Sequence, residues 1–247
     1  MTAPVDLSFG GVSFAAVVAA AGGTPVVAEV AGRAALPWSL RLRAVDGADG
    51  ASVASAVLAE RVVAVSFAAL AADRSAAAKL AVERALAGWL LSREPRPLVF
   101  SDQAPKFYEA VLSAYTVSVE RPNWIAGSLA FTCPGPWLWA DKITVASPDG
   151  DGVLEADTNA YVEPVWTITP AASVSSLTLT VNGAPFSYSG PVTPLSPLLV
   201  DSAARETRQG GTLRVAEVDG DYPVLGASNT VLVSSGTASA SYRPRWV

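Results

Sequence analysis

Short alternating runs punctuated by Gly, Asp and Pro, one stretch of helical period, and a change of composition near residue 150 predict a mainly β protein with one helix. The 247 residues suffice for one large β domain or two modest ones. The pattern favours two: an N-terminal β domain over 1–145, a linker over 146–159, and an all-β C-terminal domain over 160–247.

In the first seventy residues short strands alternate with Gly-rich turns. Within LPWSLRLRAV (36–45), Leu36, Trp38, Leu40 and Leu42 share one face and Ser39, Arg41 and Arg43 the other, the pattern of a half-buried strand. DGADGA (46–51) is turn chemistry, and RVVAVSFAA (61–69) alternates again. The helix comes next. Asp73 is a candidate N-cap for RSAAAKLAVERALAGWLL (74–91), where Val82, Leu86, Trp89 and Leu90 form one apolar stripe. Pro95 and Pro97 close it. PLVFSDQAPKFYEAVLSAYTVSVE (97–120) then holds a short strand, a turn and a long strand with Phe107, Val111, Tyr115, Val117 and Val119 on one side. AGSLAFTCPGPWLW (126–139) is a further strand ending in a corner.

ASPDGDGVLEADTNAY (146–161) is rich in Gly, Asp and Thr with little apolar period, and marks the junction. Beyond it strands and turns follow at short spacing, and Asn182-Gly183 between alternating runs signals a hairpin. That density of short strands favours a sandwich. The closing DGDYPVLGASNTVLVSSGTASASYRPRW (219–246) reads as a hairpin: turn cluster, strand, Ser-Gly turn, strand, and an Arg-Pro-Arg-Trp end. Asp221 is expected to bond nearby amides and Pro223 to fix the turn. Asn229 is expected to take a left-handed backbone at strand entry, and Pro244 to cap the last strand.

Composition excludes several classes of function. Half the chain is hydrophobic and only 16% charged, which suits a protein whose faces are covered by partners. Net charge is −5 and Lys occurs only at 79, 106 and 142, so the basic footprint of a nucleic-acid binder is missing. With no histidine, the commonest general base and metal ligand is gone. The single cysteine, Cys133, reads as a buried thiol. DGDG (149–152) fails the calcium-loop pattern, since Val153 stands where the fifth position needs an oxygen, and it reads as a solvated turn. No nucleophile elbow or phosphate loop appears, and no carboxylate pair is marked for glycoside hydrolysis. The apolar run VSFAAVVAAAGG (12–23) follows Asp6 and no basic residue, and is too short to span a bilayer, so neither a targeting signal nor a membrane span is expected. No catalytic residue, cofactor or metal site is assigned.

Four segments in order carry a family resemblance, two of them GSLAFTCPGPWLW (127–139), like the strand that closes the family's N-terminal domain, and TNAYVEPVWTIT (158–169), like the entry to its C-terminal one. Gly220, Asp221, Tyr222, Pro223, Leu225, Asn229, Val231, Gly236, Pro244, Arg245 and Trp246 resemble the C-terminal signature of distal tail proteins of long-tailed, non-contractile bacteriophages. The glycine usual shortly before the Asn stands here as Gly226, with Ala227 and Ser228 between. Leu98, Asp102, Pro105, Lys106, Tyr108 and Ala110 resemble the strand that follows the family's helix. The resemblance implies an N-terminal β domain that forms a hexameric ring at the distal end of the tail, and a galectin-like β-sandwich projecting from it. It further implies a structural virion protein without catalysis, made in the host bacterial cytoplasm. Its partners would be the tail tube protein, the tail-tip hub or tail-associated protein, and a receptor-binding protein, with DNA only passing through the lumen. The alternative from another class is a carbohydrate-binding module touching the host surface, with Trp166 or Trp246 as its platform.

Overall fold

The computed structural model describes residues 5–247 except 35, 36, 45–48, 72, 74, 122, 150, 151 and 215, and for residue 28 the backbone alone. The chain divides into two compact units, residues 1–138 with Val247, and residues 139–246.

In the N-terminal unit β1 (Leu7–Phe9), β2 (Val12–Ser13), α1 (Phe14–Ala20), β3 (Gly23–Ala31), β4 (Trp38–Ala44), β5 (Ala51–Leu58) and β6 (Arg61–Ala71) come first. They are followed by α2 (Ala76–Leu90), β7 (Arg96–Phe100), β8 (Tyr108–Arg121), β9 (Trp124–Cys133) and β10 (Leu138–Trp139) at the boundary. Seven strands form one antiparallel sheet in the order β2-β1-β7-β8-β9-β6-β3. The alternation read in 61–69 is real: β6 buries every second residue, Val63, Val65, Phe67, Ala69 and Ala71 among them. Against this sheet α2 lays Val82, Leu86 and Leu90, the expected stripe. Each such side chain withdraws about 1.5–3 kcal/mol of apolar surface from water. Trp89 turns aside and donates its indole N–H to the Phe9 carbonyl at 3.1 Å.

Four expectations differ here. A second helix, α1, occupies 14–20, where strands were expected; the Ser13 hydroxyl caps it by accepting from the Ala16 N–H at 3.0 Å. The cap of α2 is Ser75, not Asp73, whose carboxylate instead accepts from the Ser75 amide and hydroxyl. β8 does not keep one parity, because two irregularities, at Ser113 and Ser118, shift its register against β9; each serine hydroxyl bonds a β9 carbonyl there. Val117 and Val119 are exposed as a result. Lastly β4, expected to be half-buried, is exposed along its whole length and pairs only with β5. Leu36 and residues 46–48 of the 46–51 turn fall outside the described residues.

The C-terminal unit contains β11 (Thr144–Ala146), β12 (Val153–Glu155), β13 (Val165–Thr169), β14 (Leu177–Val181), β15 (Ala184–Tyr188) and β16 (Leu198–Asp201). Then come β17 (Glu206–Gln209), β18 (Thr212–Leu213), β19 (Val218–Gly220), β20 (Ser228–Val233), β21 (Thr237–Tyr242) and β22 (Arg245–Trp246). Two sheets enclose the core, β11-β21-β13-β16-β17-β18 and β12-β20-β14-β15-β19. Trp166, Ile168, Leu179, Phe186, Leu198, Val200 and Leu225 fill the space between them. The Asn182-Gly183 hairpin joins β14 to β15, with φ of 51° and 82° at its two turn residues. The boundary lies earlier than the 146–159 reading: β11 and β12 are already strands of the sandwich, laddered to β21 and β20. Of the DGDG turn, residues 150 and 151 lie outside the described set; Asp149 accepts from the Val153 amide at 2.9 Å, a turn bond.

Candidate functional site

The closing stretch is not a hairpin. β20 pairs with β14 and β12 in one sheet, and β21 pairs with β13 and β11 in the other, so residues 234–236 carry the chain across the core from sheet to sheet. Gly236 makes that crossing feasible. Its φ is +87°, and a Cβ there would stand 2.0 Å from the Thr169 carbonyl oxygen. Val231, Ala238, Ala240 and Tyr242 of these strands are buried in the core, and Val233 is partly buried against it.

The motif residues take separate places in the sandwich, most of them away from this arch. Gly220 has φ +99°, and a Cβ would lie 2.4 Å from the Pro185 oxygen. Tyr222 is half-buried, its ring 5.3 Å from that of Phe186. Pro223 is buried, and its carbonyl accepts from the Ser202 hydroxyl at 2.7 Å and from the Trp166 indole N–H at 3.4 Å. Leu225 is fully buried in the core. Asn229 has no left-handed backbone; among the described non-glycine residues that conformation belongs to Asn182 and Arg205. Its side chain instead sits 2% exposed at the centre of a polar cluster. Oδ1 accepts from the Gly226 amide at 2.8 Å and the Asn182 amide group at 3.1 Å, while Nδ2 donates to the Leu154 and Gly226 carbonyls at 3.2 and 2.9 Å. Thus the displaced glycine, Gly226, and Asn229 close one turn together.

Asp221 departs from expectation. It is exposed, and its carboxylate makes no hydrogen bond among the described residues. Asp221→Ala is therefore expected to change the stability of the sandwich by no more than about 0.5 kcal/mol, measured by urea denaturation. A loss above about 1.5 kcal/mol would contradict this placement.

Pro244 is buried, and its carbonyl accepts from the Ala140 amide at 2.9 Å; it does not end the strand pattern, since β22 follows it at once. Arg245 is the tie of this end. Its guanidinium pairs with Glu163 at 2.9 Å, donates to the Tyr161 carbonyl at 2.7 Å and lies 5.6 Å from the centre of the Trp139 ring. Its own carbonyl accepts from the Thr158 hydroxyl. Trp246 beside it is half-buried.

In the N-terminal unit Pro105 ends an exposed turn and follows a cis peptide bond. Asp102 in that turn binds Arg33 at 2.7 Å. Tyr108 is buried against Phe100, ring centroids 6.4 Å apart, with the Arg61 guanidinium 5.5 Å from its ring. Arg61 also donates to the Arg33 carbonyl, a contact between distant segments that the sequence gave no sign of. Burial pushes the Tyr108 phenol up, and pushes the nearby Cys133 thiol up to about 11, so both stay neutral packing groups at physiological pH.

None of these contacts forms a reaction centre. Among the described residues no group of His, Cys, Asp and Glu could hold a metal ion, and no helix is long and apolar enough to cross a membrane. A cleft of the sandwich, about 670 Å³, is lined by Thr167, Thr169, Thr237 and Ser239 together with Val231, Leu232 and Val233, and has no aromatic wall. Trp166, named above as a sugar platform, is fully buried with its N–H engaged. What the motif residues share is a structural duty: they hold the 223–229 turns and the chain end, and Gly236 the crossing between the sheets.

Residues 39–133 match the family model of the phage tail protein RIFT-related domain. Over its full length the chain has the fold of the Dit protein of phage SPP1, described as a paradigm of hub adsorption apparatus in Gram-positive infecting phages. The TM-score is 0.73 at 14% identity, covering 98% of this chain and 99% of that one. Two chains of the phage p2 baseplate in its activated conformation, one with calcium and one with strontium, align more loosely. Their TM-scores are 0.41 and 0.42 at 6% and 7% identity, over 89% and 96% of this chain and 90% and 97% of those chains. No curated protein matches the chain by sequence.

Proposed function

We propose that this protein is a distal tail protein, six copies of which close into a ring that joins the tail tube to the tail tip. The observation that carries the reading is the coextensive fold: the likeness to SPP1 Dit runs over 98% of this chain and 99% of that one, and residues 39–133 match the phage tail family model. The ring sits in the virion, at the tail tip, and does no chemistry. Its neighbours are the tube protein above, and the tip and receptor-binding components below.

Charge supports the division of labour. The net −5 is not spread over the chain: residues 1–138 hold eleven acidic and eleven basic side chains, and residues 139–246 hold eleven acidic and six basic. A neutral unit packs beside copies of itself without repulsion, whereas a sandwich that carries all the excess charge is suited to stand apart in solvent. A neutral inner wall also lets DNA pass without capture.

Negative-stain microscopy of the purified protein over a concentration series, with light scattering for mass, tests the proposal. Six-fold rings with peripheral knobs, at six times the 25.4 kDa chain mass, are expected. A monomer at every concentration would overturn it.

A further inference from the structure

The hairpin β4–β5 has no covering layer in its own chain. From Trp38 to Ala44 and from Ala51 to Val57 every residue is exposed, and the two strands join no other sheet. Yet the hairpin is amphipathic. Trp38 faces Leu58, Leu40 faces Ala56 and Leu42 faces Val53 on one side, whereas Arg41 faces Ser55 and Arg43 faces Ser52 on the other. Trp38, Leu40 and Leu42 are 55–59% exposed. A two-stranded hairpin alone is marginal in water, and a continuous apolar face of this kind belongs under a partner.

The same unit has a second unfinished element. β7 pairs with β8 only through Tyr108–Ala110, so the outer edge of β8 from Val111 to Arg121 has no neighbouring strand in the sheet. That edge is longer than either hairpin strand, of seven and eight residues. It exposes Val117 and Val119, and it ends at Glu120 and Arg121, the Glu120 carboxylate being paired with Lys79. Hairpin and edge therefore complement each other in backbone pairing and in apolar surface.

We infer that the occupant of this hairpin is a second copy of the chain: an outer strand of β4–β5 adds to the open β8 edge of the next subunit. Two different surfaces on one chain make a head-to-tail contact, which closes into a ring when the rotation permits. The inference rests on the ring proposed above and names the contact that fastens it. Strand addition supplies the backbone bonds, and the Trp38–Leu40–Leu42 face, once covered, orders a hairpin that cannot hold itself.

The test compares the unaltered protein with the double variant Leu40→Asp, Leu42→Asp by light scattering and amide hydrogen exchange. The unaltered protein is expected to form the ring with 38–58 and 111–121 protected. The variant is expected to run as a folded monomer, with circular dichroism unchanged and both segments exchanging freely. A ring that persists in the variant overturns this contact and leaves the ring standing; an unaltered protein that stays monomeric overturns both. Hydrogen exchange on the unaltered ring is a second arm that needs no variant: hairpin amides exchanging as fast as an unfolded peptide would also overturn the contact.

Discussion

Trp166→Ala is expected to cost the C-terminal unit about 4 kcal/mol, enough to take the sandwich close to unfolding at ambient temperature while the N-terminal unit keeps its own transition. Trp166 is the largest fully buried side chain of the chain. It lies on β13 between Val200 of β16 and Ala240 of β21, in the sheet face that meets Leu179 and Phe186. Small neighbours such as Ala240 cannot collapse into the space it leaves, so the cavity term adds to the lost transfer energy. The Pro223 carbonyl also loses one of its two donors, which loosens the Tyr222-Pro223 corner. Scanning calorimetry would show the lower transition shifting alone. An unchanged thermogram would mean that Trp166 is not the centre of this core. The result also bears on glycan binding: any loss of binding in this variant follows from a damaged core, because the ring has no exposed face to stack on a sugar.

What could be read from the sequence is whatever depends on near neighbours. The 3.6-residue stripe of α2 and the alternation of β6 and β13 follow from side-chain periodicity over a few residues, and both stand in the structure. The Asn182-Gly183 turn was equally legible, because its backbone demands those residue types. What could not be read is where a strand finds its partner. β20 and β21 are consecutive, alternating and joined by Ser-Ser-Gly, which is the pattern of a hairpin; only the Thr169 carbonyl beside Gly236 reveals an arch. The alternation of β4 truthfully reports an apolar face, but alternation cannot say whether the cover comes from the same chain. The bulges of β8 hide for a similar reason, since an extra serine leaves no mark on propensity.

The motif residues illustrate the same limit at the level of single side chains. Resemblance placed Asp221 and Asn229 on an equal footing, and only the fold separates them. One is exposed and unbonded, and the other is buried in a four-bond cluster.

Asn229→Ala should therefore destabilise the sandwich by about 3 kcal/mol, several times the effect of Asp221→Ala. The alanine strands the Gly226 amide and removes a donor from the Leu154 and Gly226 carbonyls in a region water does not reach. It also frees the Asn182 Nδ2, so the hairpin tip between β14 and β15 keeps its two bonds to Thr230 but loses the third bond that ties it to β20. Asn229→Asp should be no milder. It keeps the two acceptor contacts but turns a donor into a second acceptor facing two carbonyls, and it places a charge where burial resists it. Urea titration of the three variants would rank them, with unchanged m-values showing that the unfolded state is the same. If the Asp221 variant lost the most stability, the cluster around Asn229 would not be what holds this end of β20. If Asp221→Ala left stability intact but impaired assembly into tails, the exposed corner at Asp221 would serve as a docking point and not only as a turn.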